Sequence, residues 1–253
     1  MKKVLIVGSA PDALRALSWD ASCFTHRVVI NNAWQACPSW DHLIYPEDFP
    51  SERHPSAEQI EGKKCITAND FVPVQNRYGG FVFAGGTMAF TAGYWALGAL
   101  RPDVMAYVGC DMVYESRPEQ ATHFYGKGTA DPLRKDVTLQ SLEAKSMRLM
   151  ALAHLQGCQV VNLSEQPTSR LRMPRTNLNQ LNRLNADGDQ DLMTPLSWNG
   201  MAIEAALCAE AQLGYMVPSG RYWEVASTFD AQKLSAIDDL WLRAVLHPVP
   251  ELA

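Results

Sequence analysis

Several common signatures are missing from this chain. No Gly-x-Gly-x-x-Gly follows a strand candidate and no glycine-rich loop ends in Gly-Lys-Ser/Thr, which weakens dinucleotide and phosphate-loop ATPase readings. No Asp-x-Asp pair stands at a strand end to hold Mg²⁺. Cys23, Cys37, Cys65, Cys110, Cys158 and Cys208 form no Cys-x-x-Cys pair and have no histidine at zinc-finger spacing. They read as reduced thiols of a cytoplasmic protein. His26, His42, His54, His154 and His247 show no metal-ligand spacing either, so neither a metal nor a resident cofactor is expected. Positive charge is in deficit, with 22 Lys and Arg against 27 Asp and Glu and a net charge of −5. That balance excludes general attraction to a nucleic-acid backbone. Long apolar runs are absent too: Val4-Leu5-Ile6-Val7 stops at Gly8, too short for a signal-peptide core or a membrane span.

What is present is a chain of 253 residues and 47% hydrophobic content, enough to bury a sizeable core. Lys3 to Val7 reads as a β-branched strand running into the turn Gly8-Ser9-Ala10-Pro11 and a helical stretch from Asp12 to Leu17. Further strand candidates are Arg27 to Ile30, His42 to Tyr45, Lys64 to Thr67 and Phe81 to Phe83. From Gly85 an almost uncharged segment reads as a buried helix leading into a strand at Val104 to Val108. This alternation implies a doubly wound, mostly parallel α/β sheet of Rossmann-like type.

A helix is expected from Asp136, an N-cap, to Gln156, with Gly157 as its stop and Gln159 to Asn162 as the next strand. The α/β part is expected over 1–175, with 176–253 a helical extension packed on the same domain. Within it, Asn177 to Asp191 reads as a mobile loop or lid, followed by helices over Asn199 to Leu213 and Asp230 to Leu246. Capping the sheet, closing over a ligand and forming a homo-oligomer interface are all open roles for these helices.

In parallel sheets ligands bind beyond the carboxyl ends of the strands, so the residues there are the candidates. They are Gly8, Ser9 and Ala10; Asn31 and Asn32; Gly85, Gly86 and Thr87; and Gly109 and Asp111. Small residues let backbone amides approach an anionic ligand, and a helix N-terminus adds partial positive charge. Any one glycine alone is better explained by a turn that needs positive φ; four such turns at the same sheet edge point to a ligand. The loop from Thr122 to Arg134 carries His123, Tyr125, Lys127, Asp131 and Arg134 around two glycines, a set suited to group transfer from a phosphorylated donor. Downstream, Ser164, Arg170, Arg172 and Arg175 offer a phosphate or carboxylate clamp, or else a solvated basic face.

The collinear set Met1 to Pro11, Asn31-Asn32, Gly85-Gly86-Thr87, Tyr107-Val108-Gly109-Cys110-Asp111 and His123-Phe124-Tyr125-Gly126 resembles the bacterial sialyltransferases of glycosyltransferase family 42 over residues 1–172. It also resembles a related Rossmann-like group of 6-hydroxymethylpterin diphosphokinase-like proteins and flagellin-modifying glycosyltransferases. The resemblance implies metal-independent transfer of a sugar, sialic acid-like, from a CMP-linked donor to a glycan or small-molecule acceptor. It implies a histidine base and tyrosines, here Tyr114 and Tyr125, near the leaving phosphate. It also implies nucleotide contacts from Gly8, Ser9, Asn31, Asn32, Gly86, Thr87, Gly109 and Asp111. Two positions depart from the pattern: Ser9-Ala10 replaces Asn-Gly, and Lys127 stands where the base histidine is expected. The base role then falls to His123, or Lys127 serves as a cation on the leaving phosphate. Two alternatives stand beside this expectation: Mg²⁺-dependent phosphoryl transfer from ATP, and non-catalytic binding of a nucleotide or glycan.

Overall fold

The structure, a computed structural model, describes residues 1–113, 122–126, 136–184 and 196–246. Six strands, β1 (Lys3–Val7), β2 (His26–Ile30), β3 (His42–Ile44), β4 (Lys64–Ile66), β5 (Val104–Val108) and β6 (Gln159–Asn162), form one sheet in the order β4-β3-β2-β1-β5-β6. Every pairing is parallel. The chain winds outward from β1 through β4, then crosses back to lay β5 on the other side of β1, so the sheet is doubly wound with its switch point between β1 and β5.

The apolar runs form strands because alternate residues reach two separate cores. Val4, Ile6, Val28, Met105 and Tyr107 enter one core, and Leu5, Val7, Val29, Ala106 and Val108 the other. The helices are α1 (Ala57–Ile60), α2 (Ala68–Asn76), α3 (Phe81–Ala84), α4 (Met88–Trp95), α5 (Leu142–Leu155), α6 (Leu178–Arg183), α7 (Gly200–Leu213) and α8 (Ala231–Leu242). The first core is covered by α2 to α5, α7 and α8, with Phe90, Leu149, Ile203 and Trp241 buried in it. The second is covered by 3-10 turns, including Pro11–Ser18, and by α6. Among the described residues no helix is long and apolar enough to cross a membrane.

Four expectations need correction. Phe81 to Phe83 is not a strand but the start of α3, set between Gly80 (φ 84°) and Gly85 (φ 87°); a three-residue apolar run cannot distinguish the two periodicities. The helix expected from Asp136 is broken: Asp136 caps a single 3-10 turn, Val137–Leu139, and Ser141 caps α5. Helix α8 ends at Leu242, before Leu246, whereas Asp12 to Leu17 is helical as expected, in a 3-10 form. Finally, Asn177 to Leu184 is no lid. A reciprocal Asn177–Gln180 capping box opens α6, whose Leu181, like Leu184 just after it, is buried in the second core; residues 185–191 of the expected lid lie outside the described residues. The extension therefore divides between the two faces, α6 on one and α7 and α8 on the other.

Candidate functional site at the carboxyl edge of the sheet

The turns after β1 and β5 grip one another at the switch point. The Gly8 N–H donates to the Val108 carbonyl at 2.8 Å and the Ala10 N–H to the Gly109 carbonyl at 3.0 Å. A Cβ on Gly8 would collide with the Gly109 carbonyl oxygen, and one on Gly109 (φ 68°) would come within 2.7 Å of the Ala13 Cβ. These glycines serve close backbone approach, and the Gly8 and Ala10 amides are already committed to the protein.

Above this clasp sits the turn His123 to Gly126, closed by His123 N–H to the Gly126 carbonyl (3.1 Å) and Gly126 N–H to the His123 carbonyl (3.0 Å). It is tied to the first turn because the Phe124 N–H donates to the Ser9 carbonyl at 3.0 Å. The His123 ring is buried, stacks on Tyr125 with centroids 5.0 Å apart, and has Nδ1 2.9 Å from the Thr122 hydroxyl. Burial holds its pKa below the ordinary imidazole value, so the ring is neutral at pH 7. Tyr125 is exposed beside it. Tyr114, Lys127 and Arg134 lie outside the described residues.

Asn31 follows β2 in the left-handed region at φ 52°, and its Oδ1 is buried with no hydrogen-bond partner among the described residues. An unmet buried acceptor is costly, and here it stands at the edge where ligands of such sheets bind. Asn32 is buried beside it. Met112, beyond β5, also has positive φ (53°), a strained setting for a residue with a side chain. Its sulfur lies 3.9 Å from the Thr87 hydroxyl, which caps α4 by accepting from the Phe90 N–H.

The other predicted residues are held by the protein's own groups. The Gly86 N–H donates to Thr138 Oγ1 (3.1 Å), Thr138 Oγ1 donates to Asp136 Oδ1 (2.7 Å), and Tyr222 donates to Asp136 Oδ2 (2.9 Å). The Tyr222 hydroxyl fills the space a Cβ on Gly86 would need, and the Lys145 stem lies against Gly85. Asp111 is buried and accepts from Ser164 Oγ at 2.7 Å and Asn162 Nδ2 at 3.3 Å, which joins the ends of β5 and β6. Arg170 is engaged in a two-point ion pair with Glu143 (2.8 and 2.9 Å), and Arg175 donates to the Ser164 and Gln166 carbonyls.

Comparison with known proteins finds no matching family model, curated protein or solved structure. At the carboxyl edge the fold gathers Ser9, Asn31, Thr87, the Gly109 turn and the His123 turn, while Asp111, Ser164 and Arg170 are turned to structural duty. Among the described residues no group of three or more His, Cys, Asp or Glu side chains is disposed to hold a metal ion. Tyr222, Thr138 and Asn162 were missed as site-shaping residues. Nothing local marks Tyr222, which lies 86 positions from Asp136; Asn162, the last residue of β6, was identifiable by the strand-end rule applied to the other turns.

Proposed function

We propose that this protein is a sugar transferase that takes a nucleotide-activated donor, of the CMP-linked kind, at the β1/β5 switch point. The observation that carries the reading is the neutral, buried His123 ring held over the first βα turn through the Phe124–Ser9 hydrogen bond. A base must be unprotonated to accept an acceptor hydroxyl's proton as the oxygen attacks the anomeric carbon, and a lowered imidazole pKa keeps it so near pH 7. The unmet Asn31 Oδ1 supports binding of a ligand that presents an N–H or O–H donor along the same edge. Tyr125 stacks on His123 and is exposed, which leaves its hydroxyl available to a departing phosphate.

The test is thermal denaturation with CMP, CDP, UDP, GDP and ATP, each with and without Mg²⁺. A ligand present at about 100 times its Kd stabilises by roughly 2.7 kcal/mol. Stabilisation by CMP without metal, followed by donor hydrolysis that H123Q slows by about 10²–10⁴-fold, is the expected result. Stabilisation by ATP only with Mg²⁺ would replace the reading with phosphoryl transfer, and CMP binding with no turnover would replace it with non-catalytic binding. No shift with any nucleotide overturns it.

A further inference from the structure

The helical layer contains a cleft of about 500 Å³ between the turn joining α2 to α3, helix α5 and the end of α7. Clefts of this size accept small organic molecules. Its walls are apolar, formed by Phe83, Leu152, Leu207 and Met216. None of these residues belongs to the carboxyl-edge site.

Two of the charged groups in the lining cancel. Arg148 donates from Nε and Nη2 to the two oxygens of Glu210, both at 2.7 Å, and from Nη1 to the Tyr94 hydroxyl at 2.7 Å. Glu210 also accepts from the Trp241 indole at 2.8 Å. This pair is saturated and presents no net charge to the cleft. Arg77 differs: it is exposed, its guanidinium makes one long contact, 3.4 Å to the Gly98 carbonyl, and no carboxylate among the described residues pairs with it. Arg77 thus brings to the rim of the apolar trough a positive charge with no carboxylate partner among the described residues, in a chain whose net charge is −5. Gly79 (φ 87°) sits where a Cβ would press on Arg148 Nη2 at 3.1 Å, so no side chain fills that wall.

We propose that this cleft binds an amphipathic monoanion, a medium-chain carboxylate, with its tail on the Phe83, Leu152, Leu207 and Met216 wall and its carboxylate on Arg77. Apolar burial supplies the attraction and the guanidinium selects the sign of the head group.

The experiment is calorimetric titration of the full chain with sodium octanoate, compared with octylammonium and octanol. Saturable binding of octanoate at one site is expected, with the amine and the alcohol weaker by about tenfold or more, as for loss of a hydrogen bond to a charged group. R77Q, at an exposed position, should weaken octanoate by about tenfold with an unchanged melting temperature. A211W, which places an indole in the cleft lining, should abolish binding. Absence of saturable octanoate binding overturns the proposal, as does equal binding of the amine or wild-type affinity in R77Q. If A211W does not fold, the head-group comparison and R77Q still decide.

Discussion

The Tyr222 hydroxyl occupies the space that a Cβ on Gly86 would need, and from there it donates to Asp136 at 2.9 Å. A tyrosine from the C-terminal extension thereby shapes the turn that opens α4. Y222F, which loses a hydrogen bond to a carboxylate, should cost roughly 1.5–3 kcal/mol in urea denaturation. G86A should cost about 1–3 kcal/mol through overpacking. In a Y222A background the added methyl meets no hydroxyl, so the G86A penalty should largely vanish; a cycle showing simple additivity would refute this coupling.

His42 links the sheet to acid sensitivity. Its ring is buried against Trp95 and beside His26, with Nδ1 unpartnered among the described residues. Burial first, and then His26, lower its pKa to about 4, with Lys64 acting in the same direction and Asp41 opposing. The unfolded chain takes up this proton near pH 6.5 and the folded chain only near pH 4. Stability from this group is therefore complete above 6.5 and is lost as pH falls toward 4, by on the order of 2–3 kcal/mol. H42F should flatten urea midpoints across that window; an unchanged slope would exclude His42 as the cause.

The Arg148–Glu210 pair ties α5 to α7 in the core, with Arg148 1% and Glu210 6% exposed. R148M leaves a buried carboxylate without its cation and should cost about 3–5 kcal/mol. The double variant R148M/E210L removes both charges and should be clearly more stable than R148M alone. Chemical denaturation of the three proteins measures this directly, and a double variant no better than R148M would show that the network's hydrogen bonds, not charge pairing, dominate.

For the proposed transfer reaction, H123Q should reduce turnover by about 10²–10⁴-fold while nucleotide affinity is retained. Because burial lowers the His123 pKa, the wild-type rate should hold its plateau to a pH below the ordinary imidazole value of 6.5 before falling on the acid side. An acid limb at or above 6.5 would assign the base to another group.

Much of the scaffold was legible because it rests on local patterns. Val4 to Val7 and Val104 to Val108 are continuous apolar runs, as strands buried on both faces must be, and they pair directly. The helices expected from Asn199 and Asp230 are α7 and α8, which those two residues cap, and Gly157 follows α5 with φ 75°. The strand-end rule also picked out, at the carboxyl edge, the turns after β1 and β5, which bond to one another through Gly8, Ala10 and Gly109. It did not distinguish residues facing that edge from residues locked beneath it: Asp111 and Ser164 look like ligand groups in sequence, yet bind each other at 2.7 Å. Lys145 and Arg148, charged residues of α5 for which the sequence offers no partner, are both buried and paired with Asp238 and Glu210.

By itself, then, the sequence determined the parallel α/β architecture, most element types and the sheet edge on which chemistry is expected, since periodicity, caps and turns depend on neighbours a few residues apart. The tertiary structure decided that the run at Phe81 is helical, that Asp111 and Ser164 bind each other, and that Gly86 makes room for Tyr222. Those outcomes depend on packing partners 50 to 150 positions away, such as Asp111 with Ser164 and Tyr222 with Gly86, and no local pattern encodes which distant side chain will fill a given space.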